Sequence, residues 1–420
     1  MLHVLDDRAG RRRPRLDEGC RGRSALGRRS GKRDRGRRRA SSLARDGPRG
    51  HRIAAARRIR ERRAARDERQ TRGDREECGP SASHPSKWYD SRLGALAFLR
   101  TIPEMREATL TRGRLAEHPV WSQIMRRSDL AARTILPVIV SSAVEDREKV
   151  DGATWLERLS VTEVVREARH AASAGLAGLL VFGVSDRKDE HAMLASERDH
   201  IVPRAVHAVK EAVPELAVAT DVCVCAYTSH GQCVLFGEHG ADVPATLERL
   251  VAIAQVHADA GADLLIPSGM LGGAVAAIRG ALSSGHHDLP VAAMVKLESV
   301  LYGTHRVAVN AVPITERAVP LAPADDAAAA VARARREMAE GADALIVKPG
   351  APGIDILARL AAFADRPLLS YFTADEHAPL VAASEGPLDT EAAEREQLAA
   401  ARRAGATFVI TSGAWSVIES

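Results

Sequence analysis

Residues 325–348 read DDAAAAVARARREMAEGADALIVK. The first part has helical spacing over residues 325–340, and Gly341 closes it as a C-terminal glycine does. Residues 342–347 then form a short run that is apolar on both faces, and it ends at Lys348. A helix, a Gly-Ala junction and a doubly buried strand make one β/α repeat of a covered parallel sheet. The same junction occurs twice more. Ala260-Gly261-Ala262 and Ala404-Gly405-Ala406 match Glu340-Gly341-Ala342.

Working outward, short apolar runs at residues 135–140, 177–184, 216–224, 262–266, 289–295, 367–371 and 407–411 read as strands. Helical patterns at 161–174, 201–213, 246–260, 273–282, 354–364 and 391–403 separate most of them. With residues 342–347 the strands number eight. Eight β/α units predict a (β/α)8 TIM barrel over residues 135–420. A doubly wound open sheet is the alternative. No GxGxxG or phosphate loop follows an early strand, which counts against a nucleotide-binding version of it.

The 420 residues are 45% hydrophobic but only 3% aromatic, so the core must be built from Ala, Val, Leu and Ile. No apolar run approaches the ~20 residues that span a bilayer. Five cysteines in this length make no disulfide framework. These features exclude a secreted or membrane class and predict a cytoplasmic protein.

The net charge of +5 hides an asymmetry. Residues 1–80 hold 26 Arg and one Lys against 12 acidic side chains, an excess of +15, which leaves −10 for the rest. Such a segment cannot bury enough surface to offset its ordering entropy. Residues 1–104 are therefore expected to be a disordered basic extension, and a start-codon artefact is the plain explanation, with Met105 or Met125 as the true start. Nucleic-acid binding is the competing reading. It lacks the aromatic interleaving that stacks bases, so no nucleic-acid partner is expected.

In a barrel of this kind the reactive groups stand at the C-terminal ends of the strands. The third strand ends in Asp221-Val222-Cys223-Val224-Cys225, followed by the polar stretch 227–231 and Cys233. Three thiolates in C-x-C-x7-C spacing suit an open zinc site. Three inert, buried small side chains are the alternative. Lys296 and Lys348 end successive strands. A lysine in the barrel mouth loses solvation, and a second ammonium beside it lowers its pKa further. A neutral amine can then form a Schiff base with a ketone. For a single lysine, an anion contact would explain as much.

These residues resemble the porphobilinogen synthase (5-aminolevulinate dehydratase) family. Leu180-Val181-Phe182-Gly183-Val184, running on to Lys188-Asp189, is similar to the family's second strand ending. Thr220-Asp221-Val222-Cys223-Val224-Cys225 through Cys233 resembles its zinc loop. Lys296 with Ser299, Tyr302, Gly303 and Arg306, and Val347-Lys348-Pro349, resemble its two lysine segments. The resemblance implies a lyase that condenses two 5-aminolevulinate molecules into the pyrrole porphobilinogen, a step of tetrapyrrole and heme biosynthesis. It implies that Lys348 holds the first substrate and Lys296 the second. It gives Cys223, Cys225 and Cys233 to a catalytic zinc, and Arg306 and Arg317 to the second substrate's carboxylate, with Tyr302 beside them. Asp221 becomes a charge partner or proton acceptor. It also implies a homo-octamer, with residues 105–134 as an arm reaching a neighbouring copy.

The chain departs from the family at five places. The acidic pair after the fourth strand is replaced by Gly269 and Gly272. The Ser and Tyr that hold the first substrate's carboxylate are replaced by Ala374 and Ser412. Pro320 and Leu321 stand where a Gln and a Tyr follow the second arginine, and Gln232 replaces a His in the zinc loop. These departures predict slow porphobilinogen formation. They leave two alternatives, a paralogue acting on a different amino ketone and a non-catalytic barrel.

Overall fold

The computed structural model describes residues 113–418. The basic extension and the first residues of the expected arm lie outside them. Two short helices come first, α1 (Arg114–Glu117) and α2 (Pro119–Ile124). The chain then runs through β1 (Thr134–Ser141), a hairpin of β2 (Arg147–Val150) and β3 (Ala153–Leu159), α3 (Val161–Ser173), β4 (Gly178–Val184), α4 (Ile201–Ala212) and β5 (Ala217–Asp221). A second hairpin, β6 (Leu235–Gly237) and β7 (Gly240–Asp242), leads into α5 (Val243–Asp259) and β8 (Leu264–Ile266). There follow α6 (Ala274–Leu282), β9 (Ala292–Lys296), α7 (Gly303–Ala308), α8 (Ala327–Ala339), β10 (Ala344–Lys348) and α9 (Ile354–Ala361). The last elements are β11 (Leu368–Tyr371), α10 (Ala374–Ala383), α11 (Thr390–Arg403) and β12 (Phe408–Ile410).

Eight parallel strands pair in the order β8-β5-β4-β1-β12-β11-β10-β9. A single bridge between Leu265 and Val291 brings β8 back to β9. The result is the expected (β/α)8 barrel. The strands are buried on both faces because side chains fill the inside and helices cover the outside. The helices present one apolar stripe each, as with Val164, Ala168 and Ala171 of α3. The three Gly-Ala junctions have one geometry. Gly261, Gly341 and Gly405 adopt φ of 96°, 96° and 113°. The following amides, Ala262, Ala342 and Ala406, donate back to the carbonyls of His257, Glu337 and Ala401. A left-handed residue followed by this long return bond is the glycine helix stop.

The described part of the N-terminal segment lies against this chain's own barrel, at the N-terminal ends of the strands. Trp121 is 1% exposed. Its indole N–H donates to Asp263 O at 2.9 Å, and its ring meets Phe408 edge-on at 5.2 Å. Arg114 donates to Asp343 at 3.1 Å.

Among the elements absent from the sequence reading, beside the short β6–β7 hairpin and α7, two bear on the site. The β2–β3 hairpin stands on the barrel mouth, where β3 extends the sheet alongside the end of β1 through Ile139–Arg158 and Val140–Leu159 pairs. Arg158 ties it to α7 by donating to Ala308 O at 2.8 Å and Val307 O at 3.0 Å. Its signal was the Asp151-Gly152 pair, a common hairpin turn, with Gly152 at φ 74°. The second feature is α10, whose start is a reciprocal cap between Thr373 and Glu376. No described helix is long and apolar enough to cross a membrane.

Candidate active site

Lys296 and Lys348 are register partners at the ends of β9 and β10, so their side chains rise from neighbouring strands ~4.8 Å apart. Lys348 is 3% exposed. Its Nζ makes no hydrogen bond among the described residues and lies 3.7 Å from the centre of the Tyr371 ring. Burial, and then the charge of Lys296, push the Lys348 amine well below the ordinary lysine range; Asp221 and Glu376 pull the other way. Lys296 Nζ donates to Ser268 O at 2.6 Å. Tyr302 Oη sits 2.7 Å from Leu297 O and 3.0 Å from Lys348 O, which braces the backbone beneath both lysines.

Asp221 is the last residue of β5, and beyond it the chain leaves the sheet. Burial raises its carboxyl to about 6, against the opposing pull of Ser268 and Lys296. Its Oδ1 is buried without a partner. The loop that follows carries the three cysteines, whose sulfurs all lie within 4.8 Å of one another. Cys223 and Cys225 Sγ are 3.3 Å apart. Hydrogen bonds from those two thiols hold the Cys233 thiol well below its usual range, with help from Arg317. The Arg317 guanidinium approaches Cys233 Sγ at 3.9 Å. The donor set can hold a metal ion: sulfurs on a common tetrahedral centre at ~2.3 Å would sit close to this separation.

Two of the departures noted in the sequence have structural roles here. Gln232 fastens the cysteine loop to the segment that carries Arg317. Its Nε2 donates to Glu316 O at 2.7 Å and to Thr315 Oγ1 at 3.1 Å, while its Oε1 accepts from Ala318 N at 3.2 Å. Gly269 packs on the cysteine loop. A Cβ there would come within 3.2 Å of the Cys233 Cβ and 3.9 Å of the Cys223 sulfur. The missing acid therefore lets the loop after β8 close directly on the cysteines.

Two cavities meet at Lys348. The first is lined by Asp221, Cys225, Cys233, Lys296, Arg306 and Arg317, as well as by Tyr302 and Lys348. Cys223 sits just behind, 4% exposed. The structure thus brings together all the residues singled out from the sequence. Lys296, Arg306 and Arg317 set three cationic side chains against the Asp221 carboxyl, which favours an anionic ligand there. The second cavity lies under the β2–β3 hairpin and includes Ala374 and Ser412.

The wall common to both cavities is Phe182, His305 and Lys348. His305 was not singled out from the sequence, since it lies in a short helix with no periodic signal. Its ring packs edge-on against Phe182 at 4.6 Å. Burial, followed by the charges of Lys348 and Lys296, holds it well below its usual range and keeps it neutral near pH 7.

Comparison with known proteins gives one family. Residues 110–420 match the family Delta-aminolevulinic acid dehydratase. The Delta-aminolevulinic acid dehydratase of Escherichia coli (strain K12) is 33% identical over 310 residues, covering 73% of this chain and 96% of that protein. The enzyme of that name from Methanothermobacter thermautotrophicus is 37% identical over 307 residues, covering 71% and 93%. Among solved structures, delta-aminolevulinic acid dehydratase (porphobilinogen synthase) from Toxoplasma gondii, in complex with the reaction product porphobilinogen, aligns with a TM-score of 0.66 at 30% identity, covering 72% of this chain and 88% of that one. With its barrel, its paired lysines and these relatives, the chain belongs to the delta-aminolevulinic acid dehydratase family of lyases.

Proposed function

We propose that the chain condenses two 5-aminolevulinate molecules to porphobilinogen through Schiff bases on Lys348 and Lys296. The observation that carries this reading is the buried Lys348 amine, held toward its neutral form and paired in register with a second lysine. A neutral amine adds to a ketone carbon, and the oxygen leaves as water with both amine protons. Lys348 takes the first substrate in this way and Lys296 the second.

Arg306 and Arg317 grip the second substrate's carboxylate, which suits a planar guanidinium. Asp221, with a carboxyl near 6, takes up and returns protons close to neutral pH. Phe182 and His305 keep water from the point where the two substrates meet. Cys223, Cys225 and Cys233 would hold a zinc ion, which supplies Lewis-acid polarisation of the second substrate. We also propose that the chain works as a homo-oligomer of the family's octameric kind, with the 105–134 segment contributing to its contacts.

Purified protein assayed with 5-aminolevulinate and zinc is expected to yield porphobilinogen, identified by mass spectrometry. The rate should be low, because Ala374 and Ser412 offer little to the first carboxylate, and the Ala374→Ser, Ser412→Tyr double variant should raise it. Zinc-loaded, folded protein that gives no pyrrole would refute the reading.

A further inference from the structure

One wall of the second cavity is held from behind. Ala374 opens α10, Ser412 follows β12, and both face that cavity. A single buried carboxylate joins the two elements. Glu394 of α11 is 3% exposed. Its Oε1 accepts from Thr411 Oγ1 at 2.7 Å, and its Oε2 lies 2.9 Å from His377 Nδ1, about one turn along α10 from Ala374. The Thr411 hydroxyl in turn accepts from Gly413 N at 3.0 Å. Thr411 N donates to Ile135 O at 3.2 Å. Ser412 is thus pinned through both of its chain neighbours.

Gly413 shows how closely this turn fits the acid. A Cβ there would lie 2.4 Å from Glu394 Cδ and 2.5 Å from its Oε1, so a larger residue would push the turn off Glu394. The rest of the segment has anchors of its own. Arg395 donates to Ser416 O at 2.7 Å, and Trp415 stacks on His170 at 4.2 Å. On the cavity side, the Ser412 hydroxyl is bonded to no described residue. The Arg147 guanidinium on the same wall is taken up by Glu157, Glu163 and Glu167. A hydroxyl that is free and held in place can donate a charge-assisted bond to an entering carboxylate. Holding it beforehand removes the ordering cost at the moment of binding.

We propose that Glu394 is a positioning residue for the first substrate: with His377 and Thr411 it forms a latch that sets the Ser412 hydroxyl to receive the carboxylate tail of the ketone on Lys348. The inference rests on the Schiff-base reading of Lys348. The latch touches no reacting atom, so it acts on capture of the first substrate and leaves the Lys296 side alone.

The test uses the full chain loaded with zinc and two ketones, 4-oxopentanoate and 2-pentanone, which carries a methyl group in place of the carboxylate. Borohydride delivers hydride to the imine carbon and water protonates the nitrogen, which fixes the adduct on Lys348 for peptide mapping. Glu394→Ala should raise the half-saturating concentration of 4-oxopentanoate about tenfold, the scale of one hydrogen bond to a charged group, and leave that of 2-pentanone unchanged. Glu394→Gln, which keeps an acceptor for Thr411 and a donor for the His377 ring, should retain most of the parent's affinity. Ser412→Ala should weaken the acid as much as Glu394→Ala does, and combining the two should add nothing, as expected when one residue acts through the other. Thr411→Val, which keeps the shape and removes the linking hydroxyl, should reproduce the effect and decides the matter if Glu394→Ala does not fold. If the latch variants leave the acid unchanged, weaken both ketones alike, or add a further loss to Ser412→Ala, this inference falls while the Schiff-base reading stands. If neither ketone labels Lys348 in the parent, both fall.

Discussion

Replacing Lys348 with methionine is expected to abolish turnover, with a loss of at least about 10⁴-fold, the scale of removing a covalent nucleophile. It should also make the protein more stable at neutral pH. Both effects come from the burial of one amine. In the unfolded chain Lys348 takes up a proton at the ordinary value of about 10.4. In the folded chain burial and Lys296 push that value well down. Between the two values the unfolded state binds more protons, so stability rises with pH across that window. The cost is fully present below the folded value and vanishes above the unfolded one. Methionine fills similar space without the charge. The variant should therefore melt higher than the parent at pH 7, and the gap should close as the pH approaches 10. Borohydride reduction in the presence of 5-aminolevulinate should leave an adduct at residue 348 in the parent and none there in the variant. A Lys348→Met protein that retains turnover, or melts identically at pH 7 and pH 10 relative to its parent, would remove the neutral-amine argument.

Removing two of the three thiols should empty the metal site and leave the fold intact. Cys223→Ala with Cys225→Ala deletes small side chains, and the loop stays tethered elsewhere. Gln232 holds its far end to residues 315–318, and Thr228 Oγ1 bonds Gln232 O at 3.3 Å. A single thiolate cannot hold zinc against dialysis, so metal content should fall from about one ion per site to near zero. On the zinc reading proposed above, activity should drop by about 10²-fold or more, since polarisation of one substrate carbonyl would be lost. Elemental analysis and an unfolding curve check both halves. Full metal content in the double variant would show that the cysteines are not the ligands.

The barrel was legible because its signals are local and repeated. A helix stop at Gly261, Gly341 or Gly405 needs only the neighbouring residues, and a strand buried on both faces shows as an unbroken apolar run. The lysines and cysteines were legible because they stand at strand ends, where position alone assigns direction. The β2–β3 hairpin was not. Half its residues are charged, and they are satisfied across the fold: Arg147 meets Glu163 and Glu167 of α3, and Arg158 meets the carbonyls of α7. Side chains whose partners lie in other elements carry no period to read. His305 was hidden for the same reason, because its meaning comes from Phe182 and the lysines around it. Gln232 and Gly269 read as losses in the sequence, yet one clamps a loop and the other makes room for it.

The barrel is unevenly sewn. Seven residue pairs join β1 to β4 and five join β9 to β10, but one bridge joins β8 to β9. At the mouth end of that seam the Lys296 ammonium donates to Ser268 O, so the amine proposed above to take the second substrate is also a strut between the two strands. An amine carrying a substrate keeps fewer N–H donors, which weakens that strut. Hydrogen exchange should accordingly be fastest, among the barrel strands, at the amides of residues 264–266 and 291–294, since local opening follows the thinnest hydrogen-bonding. It should quicken when Lys296 is captured as a reduced adduct. The point at which the cylinder is easiest to part is thus beside the chemistry, and each catalytic cycle would loosen and retie it.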